Sequence, residues 1–79
     1  MKHIYLVFEY DNRLQYKLLI GAYTSKNKAI KDVTNIIINV EGEISEHNLH
    51  HLNEHLQTQN LDVNYLIQEL ELNYSKKHY

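Results

Sequence analysis

Four of the six histidines lie close together near the middle of the chain: His47, His50, His51 and His55. Residues four apart share one face of an α-helix, so His47, His51 and His55 would form a row on a helix there. Imidazole pairs at this spacing can bind a divalent transition metal. The H-E-x-x-H order of metalloproteases is absent, and one helix face supplies only two or three ligands. We therefore expect solvated histidines and no physiological metal, with those three as the candidate ligands.

The same histidine row could respond to pH, because free imidazole titrates near ~6.5. A metal- or pH-responsive module is therefore one alternative function for the chain.

Two carboxylates, Glu69 and Glu71, share one side of a predicted strand and would lie roughly 6–7 Å apart. Charged residues are also common on solvent-facing strands, where they discourage aggregation through the sheet edge. The sequence has no cysteine, no Ser-His-Asp order, no glycine-rich phosphate loop and no cofactor motif. We therefore predict that the protein is not an enzyme and that it has no catalytic residues, no cofactor and no small-molecule substrate.

Lysines and tyrosines supply the remaining candidate contacts. Lys17 and the three lysines Lys26, Lys28 and Lys31 could contact phosphate, and tyrosine can stack on bases. The isoelectric point is near 6.3, so the chain lacks the excess of basic residues that is typical of a nucleic-acid-binding domain. Nucleic-acid binding is therefore only a second alternative.

Six of the seven tyrosines fall in or beside predicted strands, and tyrosine is enriched at the energetic centres of protein interfaces. A sheet face or edge that carries them is a plausible surface for binding protein; they are Tyr5, Tyr10, Tyr16, Tyr23, Tyr65 and Tyr74.

The N-terminal third predicts a β-hairpin. Residues Lys2 to Tyr10 alternate and are rich in β-branched and aromatic types, which is typical of a strand. Asp11-Asn12 predicts the turn, and Leu14 to Tyr23 the returning strand. Gly21 near its end indicates a bulge or a close backbone approach.

The middle of the chain predicts two helices. Thr24-Ser25 offers an N-cap, followed by an apolar face at helical spacing that ends before Gly42: Ala29, Ile30, Val33, Ile36, Ile37 and Val40. We expect Ile30, Val33 and Ile37 to be buried. Ser45 caps a second, thinner helix over residues 45–58, with the apolar stripe Leu49, Leu52 and Leu56.

Residues 65–74 fit a helix or an alternating strand, and the strand is favoured because a third strand stabilises a hairpin that is marginal alone. The predicted fold is therefore α+β, a three-stranded sheet packed against two helices in the order β-β-α-α-β. The 79 residues form a single domain, with residues 75–79 as a frayed tail. Apolar runs are too short to span a bilayer and no signal peptide is visible, which predicts a cytoplasmic protein without a membrane partner.

Four segments of the chain resemble segments of small accessory proteins of phages and prophages in low-GC Gram-positive bacteria: IYLVFEY, IGAY, TSKNKAI and YLIQELELN. The matching positions are Gly21, Ala22, Tyr23, Thr24, Ser25, Ala29 and Ile67 to Asn73, while residues 45–58 depart from the shortest versions. The resemblance implies a protein that binds and modulates another protein.

These observations predict a non-enzymatic protein that binds and modulates a bacterial defence component, a repressor or a replication factor. The predicted partner-binding residues are Tyr65, Glu69, Glu71, Tyr74, Lys17 and Lys28. A homodimer formed through the sheet edge or open face near residues 65–74 is the other expected association. We expect Leu66, Leu70 and Leu72 to face the intramolecular core.

Overall fold

The computed structural model describes residues 2–11 and 13–72. It contains, in chain order, β1 (Lys2–Asp11), β2 (Tyr16–Tyr23), α1 (Lys26–Glu41), α2 (Glu46–His55) and β3 (Val63–Leu72). The predicted α+β fold and its β-β-α-α-β order are confirmed. Residues 65–74 are strand rather than helix as far as they are described, and the predicted frayed tail at 75–79 lies outside the described residues.

The three strands form one antiparallel sheet in the order β2-β1-β3. Val7 at the centre of β1 is opposite Gly21 on β2 and Ile67 on β3, and the next residue, Phe8, is opposite Leu19 and Leu66. The register of β2 shifts between these positions, which is a β-bulge beside Gly21, as predicted. Because paired residues share a sheet face, the register separates a face around Val7 from a face around Phe8.

Helix α1 lies over the face around Val7, and α2 packs against α1. Ile30, Val33 and Ile37 are buried, as predicted, and their apolar contacts form a core with residues of the strands and of α2. Val40, the last residue of the predicted apolar face, is instead 67% exposed. The whole buried core is Val7, Ala29, Ile30, Val33, Ile37, Leu52, Tyr65 and Ile67.

The expected facing of β3 is wrong. Tyr65 and Ile67 are buried beneath the helices, whereas Leu66 is half-buried and Leu70 is 42% exposed. Leu66 and Leu70 are opposite Phe8 and Ile4, on the face that the helices leave uncovered. Both faces of β3 carry apolar residues, so the alternation alone did not decide which face packs on α1. The side chain of Leu72, predicted with them, is not among those described.

The turn between β1 and β2 is organised by Asp11. Its carboxylate accepts hydrogen bonds from the backbone N–H groups of Arg13 and Leu14, at 2.8 and 3.2 Å, and pairs with the Arg13 guanidinium. The N–H of Gln15 donates to the carbonyl oxygen of Asp11, and Gln15 has a left-handed φ of 57°. These bonds hold residues 13–15 in the turn, so β2 begins at Tyr16 and not at Leu14 as expected.

We predict that the Asp11 turn makes stability fall in acid. Hydrogen bonds from Arg13 and the backbone lower the pKa of Asp11 below its ordinary value of 3.8. The contribution is therefore present above that ordinary value and is lost as pH falls through the lowered pKa. Urea unfolding from pH 6 to strongly acidic pH should show a steeper loss for the wild type than for Asp11→Asn, which keeps an acceptor oxygen without the charge. Equal slopes for the two proteins would remove Asp11 from this role.

The second helix is shorter than predicted. Ser45 caps α2 through a bond that its hydroxyl accepts from the N–H of Asn48, and the helix ends at His55, with Leu56 as its C-cap at a φ of 61°. Leu52 is buried and Leu56 half-buried, but Leu49 is 40% exposed. The left-handed Leu56 turns the chain out of the helix, so residues 57–58 are extended and not helical as expected.

Candidate functional site

One face of the sheet is left without a helix, and we call it the open face. The residues of this face alternate with the core residues along β1 and β3, and Leu19 of β2 lies on the same face, opposite Phe8. Leu19 is 52% exposed, and the residues of β1 are half-buried by their neighbours. The largest contiguous apolar patch on a domain is often its binding surface. The apolar residues of the open face are Ile4, Leu6, Phe8, Tyr10, Leu19, Leu66 and Leu70, and Lys17, Ala22 and Gln68 share the face by register.

Charge is scarce on the open face. Lys17 is its one charged side chain among those the structure describes, and its Nζ lies 4.4 Å from the centre of the Phe8 ring, a cation–π distance. A groove of about 360 Å³ lies at this end of the face, lined by Tyr10, Tyr16, Lys17 and Leu66 together with Asp11 and Gln15. The open face is thus apolar with a concave, aromatic-lined end.

Strand β2 forms one edge of the sheet, and no strand of the described chain pairs with its outer side. We call this side the free edge. It is eight residues long, its sequence YKLLIGAY has Lys17 as its one charge, and it exposes Leu18 by 51% and Ile20 by 37%. Tyr16 is 39% exposed at its start. An exposed apolar strand edge is a ready template for pairing with another chain.

The opposite edge of the sheet is partly occupied. The N–H of Ile67 donates to the carbonyl oxygen of Leu56 at 2.7 Å, and the N–H of Thr58 donates to that of Tyr65 at 3.0 Å. The segment after α2 therefore pairs with β3 and uses the backbone groups around residues 65–67. The predicted contact edge near residues 65–74 is closed over this stretch.

The predicted partner-binding residues are not gathered in one place. Tyr65 is 4% exposed within the core, so its predicted role on a contact surface is wrong: the helices and the loop after α2 cover it. Burial, followed by the charges of Glu9 and Glu41, raises its pKa. Lys17 lies on the open face and Lys28 is exposed in the first turn of α1, while Tyr74 lies outside the described residues.

Glu69 and Glu71 lie on the helix side of β3, beyond the buried residues, and both are exposed. A carboxylate oxygen of Glu69 is 2.6 Å from Nδ1 of His3 and accepts a 3.4 Å bond from the Tyr5 hydroxyl. Desolvation, and then the charge of Glu69, raise the pKa of Tyr5. Glu69 therefore contacts neighbours at the end of the sheet, and both carboxylates lie on the side opposite the open face.

The histidine row forms on α2 as predicted, but it is not fully solvated. The His51 ring lies 5.7 Å from that of His47 and 4.7 Å from that of His55, between centroids. His51 is half-buried and its Nδ1 donates to the carbonyl oxygen of Gln57 at 2.8 Å, while Nε2 of His47 lies 3.0 Å from Oε1 of Gln59. Within residues 2–11 and 13–72, no group of three or more histidines and carboxylates has the geometry to hold a metal ion. The row therefore fastens α2 to the segment that follows it.

We predict a small structural role for His51. His51→Ala removes the bond to Gln57 and should lower the free energy of unfolding by about 1 kcal/mol. His50→Ala is the matched control, because His50 is exposed on the same helix. Chemical unfolding at pH 7.5 with and without a chelator measures both. Equal stability of the two variants would contradict this role, and a loss of wild-type stability on adding the chelator would restore the metal hypothesis.

Two features of the structure were not assigned from the sequence, and the sequence carried a signal for one of them. The run Leu18-Leu19-Ile20 has no polar alternation, which is unusual for an edge strand with one solvated face. Tyr23 links β2 to α1 through a 2.6 Å bond to Asp32, which raises the pKa of that tyrosine. The unbroken apolar run is the signal that could have identified the free edge.

Comparison of the chain with protein-family models, with curated proteins and with solved structures finds no match. Among the described residues, neither helix has the length and apolar character needed to cross a membrane.

Proposed function

We propose that the protein is a non-enzymatic binding domain whose partner adds an extended segment to the free edge of β2. The observation that carries this proposal is the contrast between the two sheet edges. The edge of β3 is occupied around residues 65–67 by the chain's own residues 56–58, whereas the edge of β2 exposes Leu18 and Ile20 and pairs with no strand of the described chain along its length.

The chemistry of the free edge defines the partner segment. Backbone N–H and C=O groups give affinity in strand addition, and side chains next to the edge give specificity. Leu18 and Ile20 favour apolar residues on the incoming strand, and Lys17 favours a carboxylate near its end. The edge lacks the acidic residues that would repel such a segment.

The proposed setting is the cytoplasm, where the protein would act as a phage or prophage accessory protein on a bacterial defence component, a repressor or a replication factor. The resemblance of the strand ending IGAY and of the capped helix TSKNKAI to such proteins supports this setting. Binding by strand addition would modulate a target by occupying a segment that the target needs elsewhere.

A capture experiment with matched variants tests the proposal. Tagged wild type is incubated with lysate of the source cells beside Leu18→Lys/Ile20→Lys, which charges the free edge. The control is Ile38→Lys/Val40→Lys, which adds the same charge at exposed apolar positions of α1. A specific partner should be retained by the wild type and the control and reduced about tenfold or more by the edge variant. Equal retention by a folded edge variant would overturn the proposal.

A further inference from the structure

We infer that the open face packs against the open face of a second copy, giving a dimer of two sheets with the helices on the outside. This surface is distinct from the free edge of β2, so the inference goes beyond the proposed function. A face-to-face arrangement leaves the free edges of both copies accessible.

The charges on the sheet favour a second copy as the occupant. Glu69 and Glu71 lie on the helix side and would stay in water. Asp11 lines the groove at one end of the face, but it is 3% exposed and pairs with Arg13, so no unpaired carboxylates among the described residues meet across the dimer. Lys17 lies on an edge strand and near one end of the face, and its Nζ already covers the Phe8 ring. A two-fold axis that lies between the two sheets, parallel to them, moves Lys17 of the second copy to the opposite edge or the opposite end of the face, so the two lysines stay apart and do not repel each other.

The size of the open face is close to the lower limit for specific association. Three strands at ~4.8 Å spacing and ten residues at ~3.3 Å each define a rectangle of roughly 15 by 30 Å, on the order of 450 Å² per copy before side-chain relief. Two such faces bury roughly 900 Å² before the added area of protruding side chains is counted, close to the ~1,000 Å² that a specific interface exceeds. We therefore expect a reversible dimer that forms in the micromolar range.

The shape of the face also fits a second sheet. Inner faces of packed sheets interdigitate their side chains at ~10 Å separation. The groove lined by Tyr10, Tyr16 and Leu66 is a depression into which an apolar side chain of the second copy can insert. Its aromatic walls and the aliphatic stem of Lys17 match such a side chain.

Sedimentation equilibrium from low to high micromolar concentration tests the dimer. The wild-type mass should rise from 9.5 kDa toward twice that value. Leu70→Glu buries an unpaired charge in the interface and should weaken dimerisation by about 100-fold. Ile38→Glu is the matched control, because Ile38 is 41% exposed and Leu70 is 42% exposed, and it should dimerise as the wild type does. Leu19→Glu repeats the test from the other edge strand, with circular dichroism confirming that each variant folds.

Three results would overturn the dimer. The first is a wild-type mass that stays at 9.5 kDa. The second is undiminished dimerisation of folded Leu70→Glu and Leu19→Glu. The third is loss of the captured partner in Leu70→Glu, because that loss would place a different protein on the open face. The free-edge variant Leu18→Lys/Ile20→Lys should still dimerise. Failure of the dimer and failure of the edge proposal therefore give different results.

Discussion

Replacing Ile37 by alanine is expected to lower the free energy of unfolding by about 2–5 kcal/mol. Ile37 is 1% exposed and lies in the core beneath the sheet. The substitution loses the transfer free energy of the removed carbons and leaves a cavity that close-packed neighbours fill only in part. A domain of this length has a small total stability, so the variant should be largely unfolded near physiological temperature.

Urea or thermal unfolding followed by circular dichroism measures this loss. Val40→Ala is the matched control on the same helix, because Val40 is 67% exposed and its truncation should change stability by less than about 0.5 kcal/mol. If Ile37→Ala melted within a degree or two of the wild type, the facing of α1 described above would be wrong.

The second large effect is expected at Asn48, which is 5% exposed on α2. Its side-chain amide donates to the carbonyl oxygen of Gln59 at 3.0 Å, and its oxygen accepts from the N–H of Gln59 at 2.9 Å. Asn48→Ala leaves both backbone groups without these partners, and we expect a loss of about 2–4 kcal/mol. The segment of residues 56–58 should also detach more readily from β3.

Asn53→Ala provides the control for Asn48. Asn53 lies on the same helix, is exposed, and makes one bond to the carbonyl oxygen of Leu49. Its replacement should be nearly neutral, because alanine has the higher helix propensity. Hydrogen exchange of the amides of Thr58 and Ile67 should accelerate in Asn48→Ala and remain unchanged in Asn53→Ala. Equal unfolding free energies for the two variants would contradict a tether at Asn48.

The elements of the fold were predictable because their periodicities differ. Ser25 and Gly42 bound α1, and burial of Ile30, Val33 and Ile37 follows from helical spacing. The choice of sheet face was not predictable in the same way. Val7 and Phe8 on β1, like Ile67 and Leu66 on β3, place apolar residues on both faces, so the contact with α1 decided which face became the core.

The site depended still more on long-range contacts. Residues 57–58 return to the sheet and occupy part of the β3 edge because Leu56 adopts a left-handed conformation. Leucine has no local preference for that conformation, so this contact was not predictable from the sequence. The histidine row was visible in the sequence, but its bond to Gln57 was not. Tyr65 was predicted at a contact surface because tyrosine favours interfaces, and the same side chain also suits a core.

Strand addition at the free edge is tested most directly by amide hydrogen exchange on the partner complex purified through the tagged protein. The account predicts that amides in Tyr16–Tyr23 exchange more slowly in the complex than in the free protein at the same concentration, because an added strand engages backbone groups of β2. Amides in Glu46–His55 should exchange at equal rates in both samples. Protection confined to the helices, with unchanged exchange along β2, would contradict the free edge as the binding site.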